Sequence, residues 1–130
     1  MTYDAFVAKV RELGEYASRE EAEQATTVVL QVLGSRLTAG SVRHLAAQLP
    51  PPLHPALESA AAEDTPHFGV EEFCRQVAEV TDAAPHTAEW DASAVLSTVA
   101  QTISGGELNR VLSQLPSGYA ALFGKPELSS

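Results

Sequence analysis

Cysteine is nearly absent: Cys74 is the only one in 130 residues. A single thiol forms no intramolecular disulfide, so neither a disulfide framework nor the secretory setting it implies is expected. Positive charge is also scarce. Lys and Arg total 8 against 17 Asp and Glu, a formal net charge of −9. Only Lys9 and Lys125 are lysines, and they do not cluster. Such a field repels phosphate backbones and anionic lipid surfaces, which argues against nucleic-acid and membrane binding. It favours solubility and the approach of a basic partner. No apolar run approaches the roughly 18 residues of a membrane-spanning helix. Met1-Thr2-Tyr3-Asp4 lacks the basic stretch and apolar run of a signal peptide, so a cytoplasmic location is expected. Aromatics are few, at 6%. The core must therefore be aliphatic, and plentiful Ala, Val and Leu suit closely packed helices.

Apolar–polar alternation is missing too, so no strands are predicted. What is present is helical spacing. Tyr3, Phe6, Val7, Val10 and Leu13 mark a first helix, with Gly14 as its expected C-terminal cap. Ser18-Arg19-Glu20-Glu21 reads as a capping box. It opens a second helix with Ala25, Val28, Val29, Val32, Leu33 and Leu37 on one face. Thr38-Ala39-Gly40-Ser41 restarts the chain. Val42, Leu45, Ala46 and Leu49 give a third helix, which should end near Gln48-Leu49 because Pro50, Pro51 and Pro52 follow. A fourth short helix is expected from Leu53 to Ala62, with Leu53, Leu57 and Ala60 inward. Residues Glu63–Gly69, polar and containing Pro66, read as a linker. The pattern then begins again with Val70, Phe73, Val77 and Val80. A longer helix follows with Ala88, Ala92, Val95, Leu96, Val99 and Ile103. Ser104-Gly105-Gly106-Glu107 offers a second capping box, ahead of Leu108, Val111, Leu112, Leu115 and Pro116. Tyr119, Leu122 and Phe123 form a last apolar patch, and Lys125–Ser130 a frayed tail.

The two halves align residue for residue. At an offset of 66, Glu23/Glu89, Val29/Val95, Leu30/Leu96, Gly40/Gly106, Gln48/Gln114, Leu49/Leu115 and Pro50/Pro116 are identical. Leu37/Ile103, Thr38/Ser104, Val42/Leu108 and Leu45/Val111 are conservative pairs. Upstream the offset is 67, pairing Phe6/Phe73, Val10/Val77 and Glu12/Glu79. The slip falls in a loop, where an insertion costs least. The shared residues have structural reasons. The glycine permits a tight turn, the proline ends the third helix, and the leucine anchors the corner. The glutamine is placed to bond orphan carbonyls at the helix end.

These features resemble a bacterial family, domain of unknown function 2267. The resemblance spans Tyr3 to Phe123. It is most specific in LAAQLPPPL (Leu45–Leu53) and ISGGELNRVLSQLP (Ile103–Pro116). It implies a compact helical bundle and brings no catalytic or ligand residues.

Candidate chemistry is thin. Cys74 pairs with the apolar Val7 and has no histidine near it in sequence, so it reads as a small buried hydrophobe. His44, His54, His67 and His86 form neither an HExxH motif nor an i, i+4 pair, so no metal site is expected. Gly105-Gly106 is not a phosphate loop. Glu20, Glu21 and Glu23, and Glu71 with Glu72, read as helix starts that complement the helix dipole. Trp90, the one tryptophan, pairs with Gln24 at a surface position. It is the candidate partner contact, because exposed aromatics favour interfaces. Tyr16, in a loop, is a similar case.

The fold expected is an all-α bundle of about eight helices in one domain, residues 1–130. It comprises two tandem four-helix repeats, 3–62 and 70–124, joined by linker 63–69 and packed about a pseudo-two-fold. The expected function is non-enzymatic: a cytoplasmic protein-binding or scaffold domain with no catalytic residues, cofactor or metal. The alternative is a small-molecule carrier or enzyme with its pocket between the repeats.

Overall fold

The computed structural model describes residues 1–59, 69–81, 85–116 and 118–124, with the backbone alone at 85 and 86. Among them are eight α-helices, one 3₁₀ turn and no strand. They are α1 (Tyr3–Gly14), α2 (Arg19–Arg36), α3 (Ala39–Ala46), α4 (His54–Glu58), α5 (Val70–Thr81), α6 (Pro85–Thr102), α7 (Gly105–Ser113) and α8 (Tyr119–Leu122). The 3₁₀ turn, Pro51–Leu53, precedes α4.

The caps follow the sequence in part. Ser18 Oγ accepts from Glu21 N at 3.2 Å. Glu21 Oε2 accepts from Ala17 N at 3.3 Å, one residue before the serine. At α7, Ser104 Oγ accepts from Glu107 N at 3.1 Å, but the Ser104 N–H goes to Gln48 Oε1 at 2.8 Å. The second capping box is thus half formed, its other half supplied from the first half of the chain.

Gly14 is not the left-handed cap of α1. Glu15 takes that conformation, with φ 54°. Tyr16 N donates to Arg11 O and Glu15 N to Glu12 O, the two bonds of a Schellman motif. Gly14 is needed for room, since a Cβ there would lie 2.1 Å from the Tyr16 ring. Gly40 and Gly106 also depart from expectation. Both lie in first turns of helices without positive φ. The link before α3 is made by the extended Leu37 instead.

α3 ends at Ala46, two residues early, and 3₁₀-type bonds Gln48 N to Leu45 O and Leu49 N to Ala46 O tighten the corner. Leu53 and Leu57 are buried as expected. Ala60, most of the 63–69 linker, His67 and the tail 125–130 lie outside the described residues.

Helix lengths match across the halves: α1 and α5 have 12 residues each, α2 and α6 have 18 each. The packing pairs match as well. α1 packs on α2 and α5 on α6; α1 on α6 and α5 on α2; α2 on α4 and α6 on α8. α2 meets α6, and α3 meets α7. Buried side chains of both halves form one cluster, including Phe6, Leu30, Leu33, Phe73, Val77 and Leu96.

Candidate functional site

α3 and α7 carry short apolar faces, Val42 and Leu45 on one, Leu108, Val111 and Leu112 on the other. Burying these faces sets the two helices side by side. The glutamines of the two Gln-Leu-Pro corners then cross between halves. Gln48 accepts from Ser104 N, as above. Gln114 Oε1 accepts from Ser41 Oγ at 2.6 Å. Gln114 Nε2 also donates to Arg110 O at 3.2 Å, the expected capping of a helix-end carbonyl. At the middle of the seam Arg110 Nη1 lies 3.4 Å from His44 Nδ1. A guanidinium only donates, so the ring nitrogen accepts. His44 and Arg110 are equivalent at the offset of 66.

A groove of about 470 Å³ opens along this seam. Thr38, Ser41, Arg43, His44 and Ala47 line it from the first half, and Arg110 from the second. Its charge is the reverse of the molecule's. Excluding Lys125, seven of the 8 Lys and Arg residues are described. Five are engaged elsewhere. Lys9 pairs with Glu12, Arg19 with Asp4 and Glu23, and Arg75 with Glu72 and Glu79. Arg11 donates to the carbonyls of Tyr16 and Ala17. Arg36 is 2% exposed and bonds the Tyr119 hydroxyl. The two others, Arg43 and Arg110, have no carboxylate partner among the described residues, and both face the groove.

A second cavity, about 340 Å³, lies where the N-terminal parts of α2 and α6 approach. Tyr16, Glu21, Gln24, Thr81, Thr87 and Asp91 are among its lining. Tyr16 Oη donates to Asp91 Oδ1 at 2.5 Å. Asp91 is 8% exposed. Burial pushes its carboxyl up, against the Tyr16 hydrogen bond, which pulls it down. The Tyr16 hydroxyl is held well above its ordinary range, first by burial and then by Asp91. Asp91 stands at the position equivalent to Ala25, between Ala88, Ala92 and Val95. A charge on an otherwise apolar face was the signal that could have marked it.

Trp90 is 50% exposed, yet its Nε1 donates to Gly14 O at 2.9 Å, so the ring is pinned to the end of α1. Cys74, the equivalent of Val7, is buried in the core, and burial, then Glu89, push its thiol up. His54 Nε2 donates to Leu49 O at 2.9 Å and braces the first corner. The His86 side chain lies outside the described residues. Among the described residues no three His, Cys, Asp or Glu side chains gather as metal ligands, and no helix is long and apolar enough to cross a membrane.

These features define a small all-α bundle with an arginine-lined groove between its halves. The chain belongs to the family of uncharacterized conserved proteins DUF2267, whose model matches residues 3–122. No curated protein matches the chain.

Proposed function

We propose that the protein is a non-enzymatic binding module, and that a partner protein docks in the groove between α3 and α7. The observation that carries this reading is the convergence of Arg43 and Arg110, from opposite halves, on one groove. Trp90 is a second contact in the proposal, since half of its surface is uncovered while its indole N–H is already held. The halves are read as copies of one unit about a pseudo-two-fold axis. Matched helix lengths and the meeting of His44 with Arg110 support this. The proposal places the module in the cytoplasm, with neither nucleic acid nor membrane as its target.

The test is a photo-crosslinking residue at Ala47, in the groove, with a control at exposed Ala8 in α1. The reading expects one discrete partner at position 47 alone, which then forms a stoichiometric complex from purified components. The same adducts at both positions would contradict it.

The Asp91 cavity favours a second reading, a small-molecule carrier with its pocket between the halves. That reading expects native mass spectrometry to find a retained small molecule that Asp91→Ala loses. A ligand-free parent protein would count against it.

A further inference from the structure

We infer that the α3–α7 groove recognises an oxyanion carried on a short segment of the partner, a carboxylate or phosphate that bridges Arg43 and Arg110. This rests on the groove being the docking surface. In a chain of net charge −9, acidic side chains outnumber basic ones, and Arg11, Arg19 and Arg75 each find an acidic or carbonyl partner. Among the described residues Arg43 and Arg110 do not, and Arg43 lies in a stretch without local acids. No Asp or Glu occurs from Gln24 to Leu57. Among the described residues the Arg110 guanidinium donates to His44 Nδ1 and pairs with no carboxylate. Guanidiniums bind carboxylate and phosphate through parallel N–H···O bonds, about twice as strong as neutral ones. The Thr38 hydroxyl donates to Ser41 Oγ and the Ser41 hydroxyl to Gln114 Oε1, so recognition of the anion falls to the two guanidiniums.

The surrounding acidic surface sets the size of the ligand. Local cations attract one or two negative charges, while the net field repels a long polyanion. The inference is therefore a short acidic segment rather than a nucleic acid.

The experiment is an NMR titration of the full chain with two capped peptides. One is Ala-Glu-Glu-Ala; in the other a phosphoserine replaces the Glu pair. Sodium chloride at matched ionic strength is the control. Saturable shifts should concentrate at Ser41, Arg43, His44 and Arg110 with at least one peptide. The peptide that binds more tightly names the source. Arg43→Gln with Arg110→Gln should weaken binding at least roughly tenfold, since each charged hydrogen bond contributes that order. Both side chains are exposed, so circular dichroism should show the fold unchanged. Shifts that fail to saturate, that follow the salt control, or that persist in the double variant would overturn the inference. A specific crosslink from Ala47 without peptide binding would leave the docking reading standing and remove this one. Saturable binding without the crosslink would leave an oxyanion site in the groove but remove the docked partner, and with it the inference as stated.

Discussion

Leu49 and Leu115 close the two Gln-Leu-Pro corners at 4% and 8% exposure, so each is an anchor rather than a surface residue. Replacing either with Ala leaves a cavity at a helix end, and urea unfolding should show a loss of about 2–4 kcal/mol. A loss below roughly 0.5 kcal/mol would mean that the corner collapses without cost. Glu15 is the opposite case. A non-glycine residue in the left-handed region costs roughly 1 kcal/mol, so Glu15→Gly should stabilise the protein by about that amount in the same assay. Asp91 gives a pH signature. Its folded pKa lies above the ordinary 3.8, so the folded state holds the proton more tightly across that interval. Its contribution to stability therefore falls as pH rises through the window and is least favourable above the folded pKa. Asp91→Asn should lack that fall. Its stability relative to the parent should be greatest at neutral pH and shrink toward pH 3. A gap that widens on acidification would contradict the burial argument. At this scale the sequence was only partly legible. Leu49 and Leu115 follow from pattern alone. The cap at Glu15 does not, because Gly14 one residue earlier is required by contact with Tyr16 rather than by backbone conformation.

Helices were the most legible level, since their apolar faces repeat with the helical period and the breakers fall between them. α1, α2, α5 and α6 stand where that spacing put them. What periodicity does not encode is how closely helices approach. Gly34 shows this. A Cβ there would come within 2.0 Å of Leu57 O, so α4 rests its backbone directly on α2. Gly34→Ala must push the two apart, and a destabilisation of about 2–3 kcal/mol is expected in urea unfolding. A neutral result would mean that α4 moves freely. Partners across elements were equally hidden. Local sequence marks Gln48 and Gln114 as caps of their own helices, yet each accepts a bond from the other half. Nothing local in sequence distinguishes a glutamine that folds back from one that reaches across.

For the whole molecule, the groove belongs to neither half alone. Arg43 and Arg110 lie 67 residues apart and line one groove only because α3 packs on α7. Two signals pointed there without being decisive. One is the acid-free stretch from Gln24 to Leu57. The other is the offset of 66, which pairs His44 with Arg110, two residues that lie 3.4 Å apart. The same cross-packing of α1 on α6 and of α5 on α2 predicts that residues 1–59 alone lose much of their core cover. That fragment should unfold without a cooperative transition, and a sharp urea transition would refute interdependent halves. The central claim, that partner binding runs through the seam, is tested most directly by calorimetric titration of the reconstituted partner. Parent protein and the Arg43→Gln, Arg110→Gln double variant are compared. The account predicts at least a roughly tenfold weaker complex for the variant, at an unchanged unfolding midpoint. Equal affinity for the two proteins would contradict it.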